Sequence, residues 1–176
     1  MKKKQIHLRR VREQDLADLF SYGSQKEVAQ GAGFKQCRTK EDALSFMKFL
    51  DNKFSWVIEE EATQKVIGNI CLYETVSASG EILSAKRTLG YALNKNYWNQ
   101  GIITNAIEKM VIYARHIGIM EIEAFVAISN PASARVLEKN EFIARDLITL
   151  PFWKNFLQQE KAIVYYKKLD EKERIY

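Results

Sequence analysis

A chain of 176 residues that is 47% hydrophobic and 28% charged has the length and apolar content for one sizeable core, which excludes an intrinsically disordered protein. The formal charge of +5 suits a polyanionic ligand, a nucleic acid or a plain solvated surface, and does not choose between them. After Lys2-Lys3-Lys4 the sequence alternates rather than turning apolar, and no run of ~18 apolar residues follows, so neither a signal peptide nor a membrane span is expected. Cys37, Cys71, His7 and His116 are scattered, so no metal-ligand cluster is expected and the reducing cytoplasm is the natural setting.

Taken in chain order, Ile6 to Val11 alternates as a first strand, and Leu16, Leu19 and Phe20 give helical spacing to Glu13–Ser24. Gly31-Ala32-Gly33 is read as a plain loop. Thr39-Lys40-Glu41-Asp42 resembles a capping box, opening a helix with Ala43, Phe46, Met47 and Leu50 on one face. A meander follows: strands over Phe54–Glu59, Val66–Tyr73 and Arg87–Asn94, with a polar loop predicted from Thr75 to Lys86. Ile102–His116 carries Ile103, Ala106, Ile107, Met110 and Ala114 on one helical face, and Gly118 is placed to stop it. Met120–Ile128 is a strand. Asn130 caps a helix with Pro131 in its first turn and an end near Asn140. Phe142–Leu147 and Ala162–Leu169 close the chain as strands. No repeat or linker interrupts it, so residues 1–176 are expected to form a single α+β domain, a mixed sheet flanked by helices.

Two stretches carry chemistry. In Leu89–Ile103 a strand ends near Asn94, Asn99-Gln100-Gly101 forms a loop, and a helix starts at once. A helix N-terminus offers unpaired N–H groups and partial positive charge to phosphate, and a glycine lets the backbone approach. The G-x-x-x-x-G-K-[ST] phosphate loop is absent, and Gly31-Ala32-Gly33 lacks both the third glycine and the leading strand of a dinucleotide fingerprint. In Asn130–Phe142, Asn130 and Ser133 share a helical first turn just after a strand.

Read together, Gly90-Tyr91-Ala92-Leu93, Tyr97-Trp98-Asn99-Gln100-Gly101-Ile102-Ile103-Thr104-Asn105-Ala106 and Asn130-x-x-Ser133-x-x-Val136-Leu137-Glu138-Lys139-x-Glu141-Phe142 resemble the GNAT superfamily of N-acetyltransferases. The branch they most resemble is RimJ/RimL-like, the group that includes ribosomal-protein N-terminal acetyltransferases. The resemblance implies a mostly antiparallel mixed sheet and transfer of an acetyl group from acetyl-CoA to a primary amine. It implies that the backbone of Ala92, Leu93 and Asn94 pairs with the pantetheine arm, and that the Leu93 N–H polarises the thioester carbonyl. Asn99, Gln100, Gly101, Ile102, Ile103 and Thr104 would hold the pyrophosphate, Asn130 the pantetheine amide, and Ser133 would give the leaving thiolate its proton. Leu137 stands where many relatives outside this branch carry a tyrosine. Asn99 and Glu141 replace usual glycines. Ile103 replaces a small residue, so pyrophosphate binding requires its side chain to point into the core. At Glu141, neighbouring Asn140 is expected to adopt the left-handed conformation instead.

An α-amine with a pKa near 7.7–8 is about a tenth neutral at pH 7, whereas a lysine near 10.4 needs a base. Glu121, Glu123 and Glu160 are the nearest carboxylates and read as solvated; none is named as a base. Phe20, Tyr22, Phe34, Phe152, Trp153 and Phe156 line an acceptor pocket or fill the core. The acceptor is a protein N-terminus or a small amine such as a polyamine, amino acid or drug. A non-catalytic CoA-binding module and a basic nucleic-acid binder stay open beside these, though no nucleic-acid motif is present. No membrane partner is expected, and the chain is read as a monomer or homodimer.

Overall fold

The computed structural model describes residues 4–149 and 161–169. Seven strands form one sheet in the order β1-β2-β3-β4-β5-β7-β6. They are β1 (Ile6–Arg9), β2 (Ser55–Glu60), β3 (Lys65–Val76), β4 (Ile82–Leu93), β5 (Glu121–Ala127), β6 (Ile143–Thr149) and β7 (Lys161–Lys168). Every neighbouring pair is antiparallel except β4 and β5, which run parallel. The helices are α1 (Leu16–Gly23), α2 (Lys26–Ala32), α3 (Lys40–Leu50), α4 (Ile102–His116) and α5 (Pro131–Lys139).

The sheet is covered on both faces, so strand side chains alternate between two apolar cores. On one face Ile103, Ala106, Ile107 and Met110 of α4 and Leu137 of α5 pack against Ile70, Leu72, Leu89, Leu93, Ile122, Ala124 and Tyr165. On the other, Leu19 and Tyr22 of α1, Val28 of α2, and Ala43, Phe46 and Leu50 of α3 pack against Val57, Val66, Cys71 and Ala92. Phe34 stacks on Phe46 at 4.6 Å between ring centroids. Tyr22 is therefore a core residue, whereas Phe20 stays exposed.

Local chemistry fixes the helix ends. Thr39 accepts from the Asp42 N–H, and Asp42 accepts from the Thr39 N–H, which completes the capping box. Asn130 Oδ1 accepts from the Ser133 N–H and Pro131 follows, so α5 starts where predicted. Arg9 ties the edge strand β1 down: its guanidinium grips buried Asp15 at 2.7 and 2.9 Å and reaches Glu59 at 2.6 Å. Those carboxylates raise the Arg9 pKa.

The structure departs from the sequence reading in three places. Gly31 and Ala32 end a short helix, α2, and Gly33 caps it at φ +70°. Much of the predicted loop from Thr75 to Lys86 is strand: β3 runs to Val76 and β4 begins at Ile82. Beyond α5, Glu141 takes the left-handed conformation at φ 61°, while Asn140 stays at φ −97°. The Asn140 backbone N–H donates to the Leu137 carbonyl at 2.9 Å and so continues the helical turn, while its buried side chain donates to the Val136 carbonyl at 2.9 Å.

Candidate active site

Strands β4 and β5 are in register only from Lys86–Thr88 opposite Glu121–Glu123. No β5 residue stands in register opposite Leu89–Leu93, so the two strands part into a V. The β3 ladder decides which backbone groups face that opening. The Asn94 N–H donates to the Ile67 carbonyl at 2.8 Å, in the same register that pairs Ala92 with Asn69. Antiparallel pairs alternate, so Ala92 and Asn94 aim their backbone at β3, whereas Tyr91 and Leu93 aim theirs at the V. The Leu93 carbonyl is taken by the Trp98 indole N–H at 2.8 Å. Of the trio read from the sequence, only Leu93 therefore presents its amide to the opening, and Tyr91 joins it.

Gly68 lets β3 back the end of β4 closely, as a shelf. A Cβ there would lie inside 3.0 Å of the Ala92 carbonyl oxygen, so only glycine lets β3 press this close to Ala92 and Leu93.

The loop after β4 leads into α4. Asn99 at φ 60° and Gly101 at φ 73° both occupy the left-handed region, which asparagine and glycine tolerate best. The first intrahelical bond runs from Asn105 N to Gly101 O, so the amides of Ile102, Ile103 and Thr104 have no intrahelical partner. No acidic residue stands in this first turn. Ile102 and Ile103 are both buried in the core, so the bulk of Ile103 points away from the loop. Gln100 braces the loop by donating to the Asn96 carbonyl at 3.1 Å. These amides, the glycine and the uncharged first turn fit a pyrophosphate, and the open edge of β4 fits an extended amide-bearing arm.

Helix α2 crosses near the mouth of the V. At one end Gln25 donates to Asn94 Oδ1 at 3.0 Å and accepts from the Lys95 N–H at 2.8 Å. At the other, Asn130 Nδ2 donates to the Gly31 carbonyl at 3.2 Å. Asn130 thus caps α5 with its oxygen and clasps α2 with its nitrogen. Ser133 lies in the first turn of α5, and its Oγ is 2.6 Å from the Tyr91 hydroxyl. Burial pushes the Tyr91 phenol up to about 12 against the opposing hydrogen bond of Ser133, so it is neutral at physiological pH.

The carboxylates considered from the sequence lie elsewhere. Glu121 and Glu123 share Lys86, at 3.1 and 2.8 Å, and Glu123 also accepts from Thr88 Oγ1 at 3.1 Å. Glu123 is buried rather than solvated, because this ion pair and hydroxyl satisfy it at the closed end of the V. Phe152, Trp153, Phe156 and Glu160 lie outside the described residues. Among the described residues no group of three or more His, Cys, Asp or Glu could hold a metal ion. The residue missed from the sequence as a site member is Tyr91. It stood in the Gly90-Tyr91 motif, but nothing local marks a partner 42 positions away.

The chain matches the acetyltransferase (GNAT) domain model over residues 5–143, and it belongs to that family. It is 27% identical over 142 residues to the uncharacterized N-acetyltransferase YoaA of Bacillus subtilis, covering 77% of each chain. Its fold superimposes on a GNAT-family acetyltransferase from Bacillus anthracis with a TM-score of 0.81 at 18% identity, covering 98% of this chain and 99% of that one. Spermidine N-acetyltransferase from Vibrio cholerae, solved with CoA and spermine, gives 0.72 at 16% identity, covering 94% and 96%. The protein is an acetyl-CoA-dependent acetyltransferase of the GNAT type.

Proposed function

We propose that this enzyme is of the RimJ/RimL type and acetylates the α-amine of a protein or peptide N-terminus at the V between β4 and β5. The observation that carries this reading is the Leu93 amide turned into the V, beside a strand edge with no partner among the described residues, with Tyr91 and Ser133 at its border. Bound acetyl-CoA supplies a thioester whose carbonyl carbon gains the amine nitrogen as its bond to sulfur breaks. The Leu93 N–H donates to the carbonyl oxygen as negative charge develops there. The Ser133 hydroxyl gives its proton to the departing sulfur and recovers one from solvent, while the proton that the amine loses passes to solvent. Ile102, Ile103 and Thr104 hold the pyrophosphate through their amides, with Asn99, Gln100 and Gly101 shaping the loop. Asn130 keeps α5 and α2 in place beside the pantetheine arm.

The α-amine is favoured by the state of the acids. Glu121 and Glu123 are engaged by Lys86, and an acceptor of pKa near 7.7–8 needs little help to lose its proton. The buried, unpaired thiols of Cys37 and Cys71 suit a reducing compartment. The test is thiol release from acetyl-CoA with three acceptors: peptides with free N-termini, the same peptides N-blocked but containing lysine, and spermidine. Release with the free N-termini alone supports the proposal. Faster release with spermidine or with blocked peptides overturns it in favour of a small-amine or lysine acceptor.

A further inference from the structure

The Tyr91 phenol and the Ser133 hydroxyl meet across 42 residues of sequence, and the hydroxyl–hydroxyl distance is 2.6 Å. The same phenolic oxygen is 3.4 Å from the Ser133 carbonyl oxygen. That carbonyl can only accept, so a phenolic hydrogen turned toward Ser133 serves both oxygens. A phenol is also a far stronger acid than an alkanol, which makes it the better donor of the pair. Tyr91 stays neutral, since burial holds its phenol at about 12. The Ser133 backbone N–H is already committed to Asn130 Oδ1, so the serine backbone is pinned and only its hydroxyl rotor is free to be set.

We infer that Tyr91 is a positioning residue for acetyl transfer: it donates its hydroxyl hydrogen to Ser133 Oγ and so turns the serine's own hydrogen outward, toward the opening between β4 and β5. Without the phenol, a serine in a helical first turn has competing backbone acceptors for its hydrogen. With it, the Ser133 Oγ accepts one short hydrogen bond and donates in a direction fixed by that bond, and donation into it strengthens the bond it gives. Tyr91 ends the transfer with its proton: any proton that it lends to the Ser133 oxygen is returned from solvent. The only covalent bookkeeping is that of the transfer itself, in which Ser133 gives a proton to sulfur and is reprotonated by solvent. Tyr91 also contributes to the V through its backbone, so strand and rotor are aligned by one residue.

This inference rests on the proposed role of Ser133, and a mutant cycle separates the two. Tyr91→Phe, which keeps the ring in the core, is expected to lower kcat about tenfold with the KM for acetyl-CoA unchanged. Ser133→Ala is expected to lower kcat at least as far. The double variant is expected to be no slower than Ser133→Ala, because the phenol acts only through the serine. Incorporation of 3-fluorotyrosine at position 91, which keeps a hydroxyl donor, is expected to hold kcat within about twofold of the native enzyme. If Ser133→Ala slows the reaction but Tyr91→Phe does not, the positioning role falls and the Ser133 role stands. If the two effects multiply in the double variant, Tyr91 acts independently of Ser133 and the inference is wrong. If Ser133→Ala retains full kcat, the proton-donor reading itself fails.

Discussion

Gly68→Ala tests whether the position of β4 sets the rate. The added methyl would lie inside 3.0 Å of the Ala92 carbonyl oxygen, 3.1 Å from the Leu93 Cα and 3.3 Å from the Ala92 carbonyl carbon. Carbon–oxygen contacts relax to about 3.3 Å or more, so the end of β4 must retreat by up to roughly 1 Å. All three obstructing atoms are backbone, so no side-chain rotation relieves the clash. Overpacking of this kind costs about 1–3 kcal/mol. For a protein of this size about 2 kcal/mol lowers Tm by about 4–8 °C. The retreat carries the Leu93 amide with it, and a misplacement of about 1 Å at a reacting centre costs roughly a hundredfold in rate. The assay is a thermal melt together with acetyl-CoA turnover at saturating acceptor. A variant that melts lower yet keeps kcat within about threefold would refute the link between this shelf and catalysis.

Gly101→Trp places a bulky side chain at φ 73°, where a Cβ would meet no protein atom within 4 Å, so it projects into the open space proposed for the pyrophosphate rather than into the core. Strain of about 1–2 kcal/mol is expected, with loss of the rise in Tm that acetyl-CoA gives the native enzyme, read by melts with and without millimolar acetyl-CoA. Arg9→Leu leaves Asp15 buried without its cation and is expected to cost about 3–5 kcal/mol, seen as a lower urea midpoint at unchanged m-value. The Asp42 carboxyl is held at about 2, below its ordinary 3.8, chiefly by Lys35 and then by the Arg38 N–H. Its folded value is depressed, so its contribution is complete above pH 3.8 and is lost as pH falls toward 2. The stability gap between the native protein and Asp42→Asn should therefore be widest above pH 4 and close near pH 2 in melts across that range.

The elements legible in the sequence are those buried on one regular face. Helix α4 buries seven of its residues at helical spacing, and β5 alternates Ile122, Ala124 and Val126 into the core. Helix α2 was hidden because Val28 and Ala29 are its only buried residues, and Gly31 and Gly33 read as breakers. The outer part of the β3–β4 hairpin was hidden because Ile82–Ala85 are exposed on both faces, so no period of two distinguishes strand from loop. At the candidate site, the Asn99–Gly101 loop before α4 and the Asn130–Ser133 turn are contiguous in the sequence, so their local structure could be read. The facing of Leu93 against Ala92 and Asn94 depends on the β3 register, and the meeting of Tyr91 with Ser133 depends on how β4 packs against α5. Both are non-local and leave no local mark. The buried state of Glu123 likewise depends on Lys86, a residue on the neighbouring strand.

The most direct test of the account is to replace the backbone amide of Leu93 by an ester in a semisynthetic protein. The ladder to β3 loses no donor, because Leu93 turns its N–H toward the V, and the Ala92 carbonyl that faces β3 still accepts, more weakly, as an ester. Loss of one such donor is expected to lower kcat by about 10²–10³-fold while the acetyl-CoA-dependent rise in Tm persists. An ester variant that turns over at the native rate would contradict the assignment of acetyl transfer to this opening.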